Sequence, residues 1–280
     1  MSGVLITLWA CAAGCALFDT GGWRSVGEDD EQETTLLKPI EAAVPRALRL
    51  EYQIIERPAD DPLMGGILWD ELVEMGIVEH ETRRALNDCG MRVGVASSQP
   101  PAALEKLRGN LAQIVDPTVP GNARRRSEQV ITLPDGGHVD AQTGNVMAKY
   151  TTTIQVGGET EQRTFEKARG VMVVTAHVKQ EGWATITFAP EIRYGAVLTR
   201  PVVGTSGWTQ FETGQSVHKL PKQRFKLTLV EGDSVIVSSI GEADHRIGDL
   251  FFRDVVDGVP VQRMLVVRLL GTDAPVIQGE

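Results

Sequence analysis

Cysteine and basic charge are both scarce in this chain, and each scarcity excludes a class of protein. The 280 residues include three cysteines, Cys11, Cys15 and Cys89, which is too few for a disulfide framework. With 28 Lys and Arg against 37 Asp and Glu, the formal net charge is −9. Because proteins grip phosphate backbones mainly through Lys and Arg, this balance argues against a nucleic-acid partner. It argues equally against a general electrostatic hold on anionic lipid.

Long apolar runs are also missing, except at the start of the chain. Residues 3–18 (GVLITLWACAAGCALF) carry no charge and have the length of the apolar region of a secretory signal, which is short for a spanning helix. Residues 12–15 (AAGC) resemble a bacterial lipobox, in which the signal is cut before a cysteine that is then lipidated. The segment departs from that pattern at Ala12, where Leu is usual, and in having no Lys or Arg before Arg24.

The lipobox resemblance implies that residues 1–15 are a signal segment and that Cys15 carries a lipid anchor. The protein would then lie in the cell envelope, facing the periplasm, at the outer membrane in preference to the inner one. An uncleaved anchor and an ordinary signal peptide are the alternatives, and Leu8 with Cys11 forms a second candidate box. If Cys11 is removed and Cys15 is lipidated, Cys89 has no disulfide partner. Such a cysteine typically behaves as a small buried hydrophobe.

Residues 16–47 include GEDDEQETT, and their acidic, polar composition predicts a flexible linker. Residues 48–115 then predict a small α/β domain. Alternation of apolar and polar residues in LRLEYQII, residues 48–55, predicts a half-buried strand, and Asp61 followed by Pro62 predicts the start of a helix. The predicted order is strand, helix, helix, strand, helix, over residues 48–55, 62–75, 79–88, 91–96 and 100–109.

Residues 116–127 predict a second linker, residues 128–272 an antiparallel β domain, and residues 273–280 a tail. The β domain consists of short segments rich in Val, Ile and Thr, which favour strands. Residues 199–221 predict a loop or a protruding hairpin. Gly-containing turns predict hairpins at residues 135–137, 157–158, 181–182 and 231–233. The predicted fold class is α+β, a small α/β unit followed by a β-rich, mainly antiparallel domain.

Four segments of the β domain occur in an order that resembles the C-terminal β-domain of the bacterial secretins, the outer-membrane channels of secretion and pilus systems. They are residues 170–192 (GVMVVTAHVKQEGWATITFAPEI), 224–242 (RFKLTLVEGDSVIVSSIGE), 247–254 (IGDLFFRD) and 261–270 (VQRMLVVRLL). The chain departs from the family pattern in three ways. Ser238 and Ser239 stand in place of paired glycines, a segment is shortened to residues 246–249, and one small unit replaces the ring-forming domains.

The secretin resemblance implies a structural or assembly role, without enzymatic activity, in an outer-membrane secretion or pilus-type complex. Edge strands readily pair with another chain, so we expect an envelope protein partner or self-association through strand edges. Trp183, Trp208 and Phe211 are the candidate docking surface. No catalytic residue, cofactor site or metal site is predicted.

Two alternatives remain open from the sequence. One is a lipid-anchored binding module that captures a peptide, a glycan or a protein partner on its sheet face. The other is an envelope hydrolase, which would need a site assembled in space, because the sequence has no P-loop, nucleophile elbow or dinucleotide fingerprint. Three or more of six residues would have to converge in one pocket: Asp60, Asp61, Glu74, His80, His177 and His218.

Overall fold

The computed structural model describes residues 46–109, 126–156, 159–203, 208–241 and 246–275. They belong to one compact unit, Ala43–Glu280. Several predicted features lie outside the described residues: the signal segment with Cys15, residues 16–45 and 116–125 of the two linkers, and residues 276–280 of the tail. Among the helices that the structure describes, none is both long and apolar enough to cross a membrane.

The described part of the chain is built mainly from strands. In chain order the strands are β1 Arg46–Pro58, β2 Met91–Ala96, β3 Arg126–Pro134, β4 His138–Gln142, β5 Met147–Val156, β6 Glu159–Gln180, β7 Trp183–Val203, β8 Thr209–Lys219, β9 Phe225–Val230, β10 Ser234–Ser239, β11 Arg253–Val256 and β12 Val259–Pro275. The α-helices are α1 Leu68–Glu71, α2 His80–Asp88, α3 Ala102–Gly109 and α4 Ile247–Phe252. A π-helical turn, Leu63–Ile67, leads into α1.

The strands form two antiparallel sheets. The first has the order β2–β10–β12–β1–β3, with β11 paired to β12. The second has the order β4–β6–β7–β8, with β5 paired to β6 and β9 paired to β7. This arrangement confirms the predicted fold class, a mainly antiparallel β structure with few helices.

The first sheet is covered on both faces because alternate side chains of a strand point to opposite sides. On one face, Leu48 and Leu50 of β1 belong to the main core, which also contains the inner side chains of the second sheet. On the other face, Ile55 packs with Leu68 of α1 and Leu104 of α3 in a smaller core. The first sheet is thus the middle layer, with the second sheet on one side and short helices on the other.

The first sheet crosses the boundary predicted between the two folded segments. Strands β1 and β2 come from residues 48–115, whereas β3, β10, β11 and β12 come from residues 128–272. Strand β1 lies between β12 and β3, and β2 pairs with β10. The two segments therefore share one sheet and one main core.

The helix predicted over residues 62–75 is shorter in the structure. Its start is as expected, because an Asp61 side-chain oxygen accepts a hydrogen bond from the backbone N–H of Leu63 at 2.9 Å. The helix ends at Glu71, since Val73 forms a β-bridge with Val95 of β2. Tertiary pairing thus overrides the apolar periodicity. The predicted helix over residues 79–88 and the strand over residues 91–96 are confirmed.

Two of the four predicted hairpin turns join strands of different sheets instead. The turn at residues 181–182 connects the paired strands β6 and β7. Residues 157–158 lie outside the described residues, between the paired strands β5 and β6. The turns at residues 135–137 and 231–233 connect β3 to β4 and β9 to β10, and each of these pairs is divided between the two sheets. The glycines that make both turns have positive φ, 78° at Gly136 and 94° at Gly232.

Helix α4 packs where the two sheets approach each other. Phe251 and Phe252 are fully buried in the main core, and the Phe251 ring lies against the backbone of β6 at Gly170. A Cβ atom built on Gly170 would lie 2.5 Å from Cγ of Phe251. Such a contact is far inside van der Waals distance, so only glycine fits at this position of the strand.

We expect Gly170→Ala to lower the free energy of unfolding by about 1–3 kcal/mol, because the new methyl group overpacks the core. Urea denaturation measures the change. In a Phe251→Ala background the ring that causes the clash is absent, and the added cost of the alanine should shrink. Gly214→Ala is the matched control, since a Cβ on Gly214 of β8 meets no atom within 4 Å. Equal stability of the two glycine variants would contradict the packing described here.

Candidate functional site

The outer part of β7 and the strand β8 form a hairpin that extends away from the rest of the second sheet. β7 has 21 residues. Its first part, Trp183 to Arg193, pairs with β6, and Trp183 to Phe188 also pairs with β9. From Leu198 to Val203, β7 pairs with β8 alone among the described strands. We call residues 198–203 and 208–214 the outer hairpin.

A bulge marks the point where the outer hairpin leaves the sheet. The register of β7 against β8 shifts between Tyr194 and Leu198, and Gly195 has a φ of +81°. In β6, Lys167 also has a positive φ, 47°. The Gln215 side-chain amide donates to the backbone oxygen of Gly195 at 2.8 Å and to that of Lys167 at 3.2 Å. One side chain of β8 thus holds both irregular positions together.

An aromatic cluster supports the base of the hairpin. Phe165 of β6 is almost completely buried, and its ring centroid lies 5.0 Å from that of Tyr194 and 5.6 Å from that of His218. The Arg163 guanidinium lies over the Phe165 ring at 5.2 Å. Burial, and then the positive charge of Arg163, lower the pKa of His218. The imidazole is therefore mostly neutral at pH 7, and Arg163 supplies the positive charge beside the cluster.

The end of the hairpin differs from its base in burial, because the large apolar side chains at the end lie in solvent. Trp208 is 77% exposed, Phe211 is 74% exposed and Val203 is 80% exposed. Pro201 is opposite Phe211 in the register, and Val203 is opposite Thr209, so these four residues share one face of the hairpin. Trp208 directly precedes β8 at the same end of the hairpin. We call Val203, Trp208 and Phe211 the hairpin tip.

The structure separates the predicted docking residues into two places. Trp208 and Phe211 lie together at the hairpin tip. Trp183 is 40% exposed, but it begins β7 and pairs with Val230 of β9, whereas Phe211 lies opposite Pro201 near the other end of the same strand. At roughly 3.3 Å per residue, the intervening length of strand is far beyond the reach of one small docking site.

The residues considered for a hydrolase site lie in separate places, and three of them have their own ion-pair partners. Asp61 lies 3.3 Å from the Arg57 side chain, and Glu74 lies 2.7 Å from Arg92. His177 lies 3.5 Å from Asp135 in an exposed pair. His80 begins α2, Asp60 is exposed, and His218 belongs to the aromatic cluster. Within the described residues, no group of three or more His, Cys, Asp or Glu side chains could hold a metal ion.

A buried ionic network is the polar feature that sequence reasoning missed. Arg263 of β12 is 5% exposed. Its Nε lies 2.6 Å from a carboxylate oxygen of Glu56, and its Nη2 lies 3.0 Å from one of Asp254. The Asn145 amide, from the loop between β4 and β5, donates to Asp254. The network links both sheets, and no local sequence pattern points to it, because its members are up to 207 positions apart.

Comparisons with known proteins show no family and only a weak structural likeness. No protein-family model matches the chain, and no curated protein matches it. Among solved structures, the chain is similar to the type II secretin GspD from enteropathogenic Escherichia coli, with 13% sequence identity and a TM-score of 0.23 over 81% of this chain and 69% of that one. A likeness with so low a TM-score carries no argument about fold or function.

Cys89 should be unreactive in the folded protein. The thiol is 7% exposed and donates to the backbone oxygen of Leu86 at 3.0 Å. Burial raises its pKa to about 12, so at pH 8 only roughly one thiol in ten thousand is ionised, and the thiolate is the reactive form. We expect iodoacetamide at pH 8 to modify Cys89 only after denaturant is added, as measured by peptide mass mapping. Rapid modification of the native protein would contradict this burial.

Proposed function

We propose that this protein is a non-enzymatic, lipid-anchored component of the cell envelope that assembles through its strand edges into an outer-membrane complex of the secretin type. Its role in that complex is structural. The observation that carries the proposal is a pair of long edge strands, β5 and β8, in hairpins that extend from the second sheet.

The order of the secretin-like segments supports the proposal. Residues 170–192 form about half of the paired strands β6 and β7, and residues 261–270 lie in β12. Residues 247–254 form α4 and enter β11. Residues 224–242 contain β9 and β10, which turn from one sheet to the other. The resemblance therefore falls on strands of both sheets and on one turn that joins them.

The two edge strands provide the means of assembly. β5 has 10 residues and β8 has 11, and among the described strands each pairs on one side only, β5 with β6 and β8 with β7. The backbone N–H and C=O groups on the other side of such a strand can hydrogen-bond to a strand of another chain.

These edges have only part of the usual protection against pairing, Lys149 in β5 and Glu212 with Lys219 in β8. Natural edge strands are commonly blunted by proline, by charged side chains or by short length. Neither β5 nor β8 contains proline, and residues 151–156 of β5 (TTTIQV) carry no charge. Each strand is longer than the usual five or six residues. Open edges of this length favour pairing between copies.

Light scattering on residues 19–280 tests the assembly directly. The proposal expects a mass of many chains, and Val217→Lys should shift that mass toward a single chain, because an added lysine on the edge strand β8 opposes edge pairing. Ile67→Lys is the matched control: Ile67 is 47% exposed and Val217 is 45% exposed, and Ile67 lies in the π-helical turn away from both edges. A monomeric wild-type fragment would overturn assembly and favour a tethered binding module.

Lipidation of Cys15 is tested separately, in a bacterial host that processes lipoproteins. We expect the full chain to incorporate radiolabelled palmitate and to sediment with membranes. Cys15→Ser should abolish the label, because the thiol that accepts the lipid is lost, whereas Cys11→Ser should leave it unchanged. Label that persists in Cys15→Ser but disappears in Cys11→Ser would place the lipid at the alternative box.

A further inference from the structure

We infer that the hairpin tip, Val203 with Trp208 and Phe211, inserts into the interface of a zwitterionic lipid bilayer. This contact is distinct from the lipid anchor and from the strand-edge assembly proposed above. It uses the side chains at the end of the hairpin, whereas assembly would use the backbone groups along its edge.

The exposure of the tip is the first reason. These three side chains are among the most exposed large hydrophobic groups of the described residues, each at least 74% accessible. The hairpin base, in contrast, has its aromatic side chains packed. Large apolar side chains that are all exposed at one end of an element mark a surface that contacts another phase or another molecule. We therefore expect another molecule or a lipid surface to cover the three side chains of the hairpin tip.

The absence of charge at the tip is the second reason. The sequence from Pro201 to Phe211 (PVVGTSGWTQF) contains no charged residue, and it is bounded by Arg200 and Glu212, which lie opposite each other in the register. Entry of a charged side chain into the bilayer is costly, so a stretch of sequence without charge favours insertion.

The residue types at the tip fit the bilayer interface. Tryptophan concentrates at the membrane–water boundary because its ring is amphipathic: it has a large apolar surface and one N–H donor. Phe211 and Val203 add apolar surface without a polar group. The tip therefore combines one interfacial aromatic residue with two wholly apolar ones.

Area and charge decide between a bilayer and a protein as the occupant. A stable protein interface buries about 800 Å² on each partner, and three side chains at the end of a hairpin are far too few to supply that area. A bilayer needs no matching surface and covers each side chain that enters it. With a net charge of −9, the chain gains nothing from anionic lipid, so we assign the contact to zwitterionic headgroups.

Quenching by brominated lipid tests the contact in the full chain. The protein is reconstituted from detergent into phosphatidylcholine vesicles with and without bromine on the acyl chains near the headgroups, and tryptophan fluorescence is compared. Trp208→Phe should lose the bromine-quenched intensity of one tryptophan, because that residue lies in the interface. Trp183→Phe is the matched control, since it removes a tryptophan from the opposite end of β7 and should leave the bromine-quenched intensity unchanged.

A second variant separates the tip as a whole from Trp208 alone. Val203→Ser with Phe211→Ser keeps Trp208 but removes its apolar neighbours, and the bromine quenching of Trp208 should fall. Both positions are exposed, so neither change removes a core contact. Equal bromine-quenched intensity in wild type and Trp208→Phe overturns the inference. If Trp208 is then also protected from acrylamide, a protein covers the tip. Neither result depends on the mass measured by light scattering, so failure of this contact and failure of assembly are distinguishable.

Discussion

The pairing of β1 with β12 is the constraint on which the rest of the structure depends. These are the first and last described strands, and they run side by side from Arg46 opposite Pro275 to Pro58 opposite Val261. Both lie in the middle layer, covered by helices on one face and by the second sheet on the other. Neither core can be fully buried until β12, the last described strand, has paired with β1. Such non-local pairing is entropically expensive and slow to form, so the two sheets must fold as one cooperative unit.

This constraint explains which parts of the fold the sequence could predict. Period-two alternation predicted β1 correctly because it reports a local property, one apolar face. It could not show that β1 lies between β12 and β3, since a central strand and an edge strand can have the same alternating pattern. The turns show the same limit: Gly136, Gly182 and Gly232 all have the positive φ that their sequences predict. Only Gly182 lies in a hairpin, because burial of the flanking strands decides between hairpin and corner.

The candidate site was predictable in part for the same physical reason. Trp208 and Phe211 could be placed in an exposed segment because their neighbours are small and polar and offer no core. Trp183 could not be separated from them, since nothing local shows that β7 continues through Tyr194 into the outer hairpin. The base of the hairpin was missed altogether. Phe165, Tyr194 and His218 come from three strands, and only the register brings their rings together.

The outer hairpin combines a fixed base with two surfaces that face different directions. Gln215 and the aromatic cluster hold the base against β6, so the hairpin should move little as a body when a partner binds. The edge of β8 offers backbone hydrogen bonds at right angles to the strand, whereas the tip offers apolar side chains along the strand axis. A strand of another copy and a lipid surface therefore do not compete for the same groups. One rigid hairpin can make both contacts at once, and each contact would orient the hairpin for the other.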